Sequence, residues 1–476
     1  MERPGERPPV EAVAACRRLI LLLLPPASSQ RRSLLYLGLL VALFAYLTFA
    51  RVHESSTSFH LLRDQIRDWR IALGSFSALP LIGPQSTAGG SSLGPIYYWV
   101  LWAARSLVGP WTSNLPHGGA YGIALLQGGA DLFLLDTIRR RTGSIWVALA
   151  AVLLVSTNPH ELAMSSTIWN PAVSVAFVKL AIASRLRHDD ASLWWTAATT
   201  ACAWFAVQAH SAAIFVAIPV TASYVVADLL AGRVRRSLEQ VRAIVEVIVL
   251  LQIPFLLSAL TQSSEVLPSR AIAGASDLLT GDGLRWRASF SALAQTLASI
   301  LFAPWAMLKT STAVLTLCVL VTAIRARRDV GLLSATIAPL VAAVAGLALW
   351  QGTYDSYWYV PFAPSAAITV ALALTWWRPS MIGALIVFAL LVAQPSRLAA
   401  SHFEYRMREY GPLLRGTERI VKTTKVLRRL ETTFPMPPFS DETFLFGVLG
   451  GQLRDDAEFD AVIDEQGDVQ FTRVSR

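Results

Sequence analysis

The chain has 476 residues, of which 54% are hydrophobic and only 15% are charged. Soluble proteins carry about 25% charged residues, so this composition excludes a soluble multidomain enzyme, a disordered chain and a disulfide scaffold. The 15 tryptophans suit the aromatic belts that membrane proteins place at the two membrane surfaces. The composition therefore predicts an all-α protein that crosses a membrane many times.

The basic excess has an explanation in the membrane. The formal net charge of +9 comes from 41 Lys and Arg residues against 32 Asp and Glu residues. In a soluble protein such an excess would point to nucleic acid, but in a polytopic membrane protein Lys and Arg collect in cytoplasmic loops and orient the helices. We expect membrane lipids, including anionic head groups, as partners and no nucleic acid.

The apolar segments predict the spans in chain order. Residues 1–32 are predicted to form a cytoplasmic arm, and residues 33–395 a transmembrane domain. A spanning helix needs about 20 mostly apolar residues. The clear candidates are Ser33–Ala50, Gly118–Ile138, Ser144–Thr157, Pro171–Ser184, Leu193–Gln208, Ala212–Ala231, Ala243–Leu260, Thr312–Ile324, Gly331–Trp350, Trp358–Trp377 and Met381–Ala393.

Two weaker apolar stretches, Ile96–Val108 and Phe290–Leu308, decide the topology. If both spanned, the cluster Arg139–Arg141 would lie outside the cell, against the preference for positive loops in the cytoplasm. Placing both stretches on the outer surface returns this cluster and Arg325–Arg328 to the cytoplasm. The sequence therefore predicts about eleven spans, with the N-terminus inside and the C-terminus outside.

Three regions then share the outer face: a first outer loop (51–117), a second outer loop (261–311) and an extracytoplasmic tail (396–476). Within the tail, Glu404–Leu430 has an amphipathic helical pattern and Val469–Phe471 alternates like a short strand. We predict a small α+β accessory domain there. Charged residues are expected at the ends of the spans, with few in their middles, which argues against a transporter.

The first outer loop carries the candidate chemistry. Asp64 and Asp68 are four residues apart and share one face of a helix, and Arg63, Arg67 and Arg70 are interleaved with them. A carboxylate beside arginines at a membrane surface can act as general base while the arginines hold a phosphate. A solvated amphipathic helix with internal ion pairs is the alternative interpretation of the same spacing.

The remainder of the loop has the marks of an ordered segment. Gly83-Pro84 and Gly94-Pro95 signal turns. Tyr97 and Tyr98 follow on a short apolar stretch that suits a helix lying in the membrane interface. Interfacial anchoring alone would explain both tyrosines, and a place in a substrate pocket is the functional alternative.

The run from Asp64 through Gly83-Pro84 to Tyr98 resembles the first outer loop of the GT-C membrane glycosyltransferases. The resemblance is greatest to the bacterial branch of Rgt-type lipopolysaccharide glycosyltransferases, and it extends more distantly to the aminoarabinose lipid A transferases and the protein O-mannosyltransferases. Trp169-Asn170-Pro171 and the stretch Tyr354–Pro364 agree with these families in order and place.

The resemblance implies a function. Such enzymes move a sugar from a polyprenyl phosphate carrier to a glycolipid, polysaccharide or protein acceptor on the outer face of the bacterial cytoplasmic membrane. Asp64 then matches the catalytic base of an inverting transfer. Because the leaving group is a lipid phosphate, electrostatic clamping matters most, and the candidates for that clamp are Arg63, Arg67, Arg270, Arg285 and Arg287.

The chain departs from these families at two places. Gln65 follows Asp64 where many relatives have Glu, and Asn170-Pro171 stands where some have Asp-Pro. Helix capping by Asn, with Pro in the first turn, explains the second pair structurally. Asp68 and Glu161 are candidates for a second acid, although a lone Glu in an outer junction is usually only solvated.

The other predicted contacts with substrate, beyond the first loop, are Asn170, His210, Tyr354 and Tyr357. No cluster of His and Cys with ligand spacing is present, so we expect no metal and no cofactor. A divalent cation, which the related oligosaccharyl transferases use, is the alternative. The lack of a P-loop or dinucleotide fingerprint argues against a nucleotide-sugar or ATP-driven enzyme.

Two other functions remain open from the sequence. A transporter or flippase of lipid-linked glycans would have the same composition, but it should have internal repeats or charges inside broken spans. A non-catalytic assembly protein of the membrane would not need the polar outer loop. The transferase is the leading hypothesis because it accounts for both the loop and the topology.

Overall fold

The computed structural model describes residues 29–85, 94–187, 192–261, 286–302, 308–348, 356–405, 407–434, 441 and 443–474. By its internal contacts the chain divides into two units, Met1–Tyr46 and Leu47–Arg476. Helix Ser29–Val52 contains the boundary, and every other element below lies in the second unit. Most of the predicted cytoplasmic arm and of the second outer loop lies outside the described residues.

Within the described residues of the membrane part, the regular secondary structure is almost entirely helical. Its helices are α1 (Ser29–Val52), α2 (Arg63–Leu73), α3 (Ile96–Val108), α4 (Pro116–Thr142), α5 (Ile145–Ser156), α6 (Pro159–Ser165), α7 (Asn170–Arg187), α8 (Leu193–Ala209), α9 (Ile214–Leu230), α10 (Val234–Thr261), α11 (Trp286–Phe302), α12 (Leu308–Ala326), α13 (Val330–Ala335), α14 (Ile337–Ala348), α15 (Ala363–Leu374) and α16 (Pro379–Val392). Short 3₁₀ helices occupy Phe76–Ala78, Gly109–Trp111, Ser211–Ala213 and Ser356–Phe362.

The C-terminal part mixes helices and short strands. Its elements are α17 (Gln394–Tyr405), α18 (Tyr410–Thr423), β1 (Val426–Leu427), β2 (Arg429–Thr432), α19 (Phe444–Val448), β3 (Gln452–Leu453), β4 (Phe459–Ile463) and β5 (Val469–Arg473). In the three-stranded sheet, β4 lies between β2, to which it is parallel, and β5, to which it is antiparallel. Helix α18 packs against β4. The predicted α+β character of the tail is confirmed.

Every predicted span overlaps a helix in its described residues. Gly331–Trp350 overlaps two, on either side of Thr336, and Trp358–Trp377 overlaps a 3₁₀ helix and α15. Among the described residues, four segments are long and apolar enough to cross a membrane: Leu34–Val52, Ser211–Leu230, Val234–Thr261 and Tyr357–Leu374. Helices α5 and α6, bent by 63° at their junction, are a fifth candidate if they form one broken span. The total of eleven stays a prediction.

Helix α10 shows that the chain is an integral membrane protein. It has 28 residues, and several of its large apolar side chains, among them Val249, Leu250 and Leu260, are more than half exposed. An apolar surface of this length has no stable place in water but matches a lipid environment. The helix therefore presents a lipid-facing side.

Three of the arginine clusters that are predicted to be cytoplasmic lie close together. Arg141 pairs with Asp329 (2.5 Å) and Arg187 with Asp136 (3.1 Å), so three predicted cytoplasmic clusters meet at one end. Helix α3 has 13 residues and is therefore about 20 Å long, shorter than the roughly 30 Å hydrocarbon core of a bilayer. Some helices that lie in predicted spans are equally short, for example α5 with 12 residues, so the placement of Ile96–Val108 on the surface stays a prediction.

The predicted amphipathic helix Glu404–Leu430 is partly wrong. The structure has helix over Tyr410–Thr423, but Thr424 is extended (φ −149°, ψ 142°) and the chain continues into β1 and β2. The reason is tertiary, because β2 pairs in register with β4 from Arg429 to Thr432. The predicted strand at Val469–Phe471 is confirmed as part of β5.

Candidate active site

Helix α2 holds the candidate catalytic residues on a fixed scaffold. At its start the Gln65 side chain accepts a hydrogen bond from the Leu62 amide (3.1 Å), which satisfies one of the free N–H groups of the helix end. Trp69 is fully buried and donates from Nε1 to the Asn114 carbonyl (2.8 Å). A Cβ on Gly119 would lie 2.4 Å from the Trp69 ring, so only glycine allows α2 to pack this closely on α4.

Asp64 points away from this packing. Its side chain is 64% exposed, and its Oδ1 accepts a hydrogen bond from Arg67 Nη1 (3.1 Å), one turn further along the helix. The carboxylate is thus held by one arginine and open to solvent. An exposed carboxylate of this kind can take a proton from a bound hydroxyl group.

Asp68 has a different environment, although it lies on the same helix. Its carboxylate is buried and accepts hydrogen bonds from Arg67 Nε (2.8 Å) and from the Tyr98 hydroxyl (3.1 Å). Burial raises the pKa of Asp68 above its ordinary value, and the bonds to Arg67 and Tyr98 oppose that rise. Asp68 therefore orients Arg67, which spans both carboxylates.

A cavity of about 90 Å³ opens beside Asp64. Five segments of the chain form its walls: α2, the loop after it, the start of α7, and the two 3₁₀ helices after α8 and α14. The lining residues are Asp64, Arg67, Asp68, Pro84, Gln85, Trp169, Asn170, His210, Ser211, Tyr357 and Trp358. Six of these were predicted as site residues from the sequence: Asp64, Arg67, Asp68, Asn170, His210 and Tyr357.

Aromatic rings form part of the cavity lining, which we call the aromatic wall. The rings of Trp169 and Tyr357 are 5.1 Å apart, and the His210 ring meets those of Tyr357 (6.0 Å) and Trp358 (5.7 Å) edge to face. The Asn170 amide donates to the Ala209 carbonyl (2.9 Å), which ties the start of α7 to the end of α8. The cavity thus combines a charged side with an aromatic side.

Sequence reasoning missed part of this wall. Trp169 and Trp358 line the cavity, as do Gln85 and Ser211, but none of them was nominated. A signal was available for the two tryptophans, because each stands next to a nominated residue, Asn170 or Tyr357, within the same short motif.

Of the other predicted site residues, those that the structure describes lie outside the lining of this cavity. Tyr97 is fully buried and donates to the Ile168 carbonyl (2.9 Å), and Tyr98 lies behind Asp68. Arg63 is exposed on the neighbouring face of α2, and Arg287 is exposed near the start of α11. Arg270, Arg285 and Tyr354 lie outside the described residues.

Glu161 is not the solvated side chain that the sequence indicated. It is 2% exposed and accepts from both Arg51 (2.5 Å) and Lys179 (2.6 Å). Asp131 pairs with the same two cations, at 2.6 and 2.8 Å, and also accepts from Ser156 (2.7 Å). We call Arg51, Asp131, Glu161 and Lys179 the buried charge cluster.

The buried charge cluster also corrects the expectation that charges avoid the middles of the spans. Asp131 lies in the middle of α4 and Lys179 in the middle of α7. Two cations and two anions balance, and each is at most 2% exposed. Isolated charges at such positions are expensive, and mutual pairing removes most of that cost. The cluster therefore joins α1, α4, α6 and α7 at one point.

Within the described residues, no group of three His, Cys, Asp or Glu side chains is placed to hold a metal ion. The groups that the structure places at the cavity include the Asp64 carboxylate, the Arg67 guanidinium and the aromatic rings.

The fold is similar to that of ArnT from Cupriavidus metallidurans in two crystal structures. With undecaprenyl phosphate bound, ArnT aligns with a TM-score of 0.53 and 15% identity over 88% of this chain and 85% of ArnT. In the apo state the TM-score is 0.52 and the identity 15%, over 89% and 86%. No protein-family profile matches the sequence, and no curated protein does. ArnT is a GT-C membrane glycosyltransferase, so this chain has the GT-C fold.

Proposed function

We propose that this protein is a membrane glycosyltransferase that moves a sugar from a polyprenyl phosphate carrier to a cell-envelope acceptor. The acceptor is a glycolipid, a polysaccharide or a protein, and the reaction takes place on the outer face of a bacterial cytoplasmic membrane. The observation that carries the proposal is the exposed Asp64 carboxylate, held by Arg67 at a cavity with an aromatic wall. The GT-C fold and the undecaprenyl phosphate bound by ArnT support the choice of donor.

The geometry suits a single displacement. The acceptor hydroxyl attacks the anomeric carbon while Asp64 takes its proton, and the bond between that carbon and the phosphate oxygen breaks. The lipid phosphate leaves with the bonding electron pair, and attack from the opposite face inverts the anomeric centre. Arg67 is the cation at hand for the phosphate, and guanidinium groups bind phosphate with strong charge-assisted hydrogen bonds. The rings of Trp169 and Tyr357 offer flat surfaces for the sugar.

The test replaces Asp64 by Asn, which keeps the shape of the side chain but cannot accept the proton. We expect transfer to fall at least about 100-fold, because general base catalysis contributes roughly 10²–10⁴. The measurement is mass spectrometry of envelope glycans and glycolipids in cells that lack the gene and carry either version of it. The matched control is Asp456→Asn, an exposed aspartate of the tail that pairs with Arg454.

The amount of each variant in the membrane is measured alongside, so that loss of protein is not mistaken for loss of chemistry. Restoration of the missing sugar by Asp64→Asn, at the level of the Asp456→Asn control, would remove Asp64 as the base.

A flippase of lipid-linked glycans is the second candidate, and the buried charge cluster is the observation that favours it. Transporters place ionisable residues inside the membrane along the path of the substrate. Purified protein in vesicles separates the two functions. A transferase forms a new glycosidic bond without moving lipid between leaflets, and a flippase moves the labelled lipid without forming a bond.

A further inference from the structure

A second and much wider groove also borders Asp64. Its volume is about 790 Å³, and it is lined by Arg63, Asp64, Ile66, Arg67, Arg70, Ile71, Gln85 and Asp441. Asp64, Arg67 and Gln85 line both this groove and the smaller cavity. Asp64, the candidate base, therefore lines both the cavity and the groove. A base in a reaction between two substrates needs such a position.

The tail supplies the far side of this groove. Arg70 forms a salt bridge with Asp441 and lies over the Phe444 ring, 5.3 Å from its centre. The tail is held against the first outer loop at another point, where the Gly411 amide donates to the Thr57 carbonyl (3.1 Å). The groove is consequently formed jointly by helix α2 and the tail.

The charges in the groove are predominantly positive. Arg63, Arg67 and Arg70 follow one another at helical spacing along one side of α2, against the two carboxylates of Asp64 and Asp441. Arg67 pairs with Asp64 and Arg70 with Asp441. Arg63 has no ion pair among the described residues, and its guanidinium is exposed at the groove.

We propose that this groove binds the acceptor, and that the acceptor is a glycan carrying an anionic group, a carboxylate or a phosphate, that Arg63 contacts. The inference rests on the proposed function, because the base must touch the acceptor hydroxyl and Asp64 is the residue that both spaces share. The aromatic cavity then receives the sugar of the donor. A free guanidinium at the rim favours an acidic glycan over a neutral one through charge-assisted hydrogen bonds. Arg63 is thereby assigned to the acceptor and not to the donor phosphate.

The experiment measures binding of defined glycans to the full-length protein in lipid nanodiscs by calorimetry. The probes are a hyaluronan tetrasaccharide with carboxylates, pentamannosyl phosphate with a phosphate, and neutral chitotetraose. We expect at least one acidic probe to bind about tenfold more tightly than chitotetraose, which is the size of one charge-assisted contact. The comparison between the carboxylate and the phosphate arm identifies the anionic group.

Arg63→Gln should weaken binding of that acidic probe about five- to tenfold. It should leave binding of undecaprenyl phosphate unchanged. The matched control is Arg429→Gln, an arginine of the tail that is 67% exposed and lies outside the groove. This variant should bind every probe as the wild type does.

Equal affinity for the acidic and neutral probes would overturn the proposal, as would an Arg63→Gln protein that binds the acidic probe normally. A loss of undecaprenyl phosphate binding in Arg63→Gln would return the arginine to the donor. These outcomes are distinct from failure of the proposed function. The proposed function is tested by measuring sugar transfer in Asp64→Asn, whereas this inference is tested by measuring glycan binding.

Discussion

Two groups of residues in this protein pair carboxylates with cations but differ in their access to solvent. Asp64 and Arg67 on α2 are 64% and 35% exposed and border an open cavity. In the buried charge cluster, Asp131 and Lys179 are fully buried. A catalytic carboxylate has to reach the proton that it removes. Access to solvent, and not the number of charges, distinguishes the candidate site from the buried charge cluster.

The energetics of the two groups should differ for the same reason. An exposed ion pair contributes about 0–1 kcal/mol to stability, because water competes with each partner and holding the side chains costs entropy. Removing one partner of a buried pair costs about 3–5 kcal/mol, since the other charge is left without compensation. Substitutions at the two places should therefore separate loss of activity from loss of stability.

The largest expected effect on stability is that of Lys179→Met. Two carboxylates would lose a cation to which each now lies within 2.8 Å. We expect the free energy of unfolding to fall by about 3–5 kcal/mol, measured by denaturant titration of the purified protein. The double variant Asp131→Asn with Lys179→Met removes one charge of each sign and should recover part of the loss.

The control for this substitution is Lys422→Met, at an exposed position on α18. It should change the free energy of unfolding by less than about 0.5 kcal/mol. If Lys179→Met were as stable as this control, the cluster would not be the junction that its geometry indicates.

The sequence could indicate helix α2 and its charges because they depend on local spacing. Asp64, Arg67 and Asp68 lie within one and a half turns of the same helix, so the distance between them follows from the helical repeat. Part of the cavity lining could be predicted for the same reason, since Tyr357 and Asn170 stand in short motifs. What the sequence could not show is that α2, α7 and two 3₁₀ helices meet at one cavity.

The sequence could not predict the buried charge cluster because its members are distant from one another along the chain. Glu161 is 110 residues from Arg51 and 18 from Lys179. Because Glu161 follows a predicted span, the local sequence pattern predicts an exposed side chain. The bend of 63° between α5 and α6 turns it inward instead. The sequence did contain one indication of such a cluster, because Asp131 and Lys179 are single charges within apolar segments.

A smaller effect is expected where Arg67 is replaced by Lys. Arg67 uses Nε for Asp68 and Nη1 for Asp64, and a lysine has one nitrogen with which to reach both. We expect the initial rate of transfer to fall about tenfold, with a change in stability under about 1 kcal/mol. The matched control is Arg242→Lys, an exposed arginine that pairs with Glu246. Equal rates in the two variants would show that the fork of Arg67 is not needed.

The smallest expected effect is a dependence of stability on pH at the edge of the aromatic wall. His60 stacks on Trp169, with ring centres 6.1 Å apart, and burial lowers the pKa of its imidazole to about 4. Between pH 6.5 and 4 the unfolded chain binds a proton at His60 that the folded chain does not, so stability falls as the pH falls through this window. His60→Phe keeps the ring and removes the titration. Its unfolding temperature should therefore drop less than that of the wild type between pH 7 and pH 5, and parallel curves would show that His60 does not contribute.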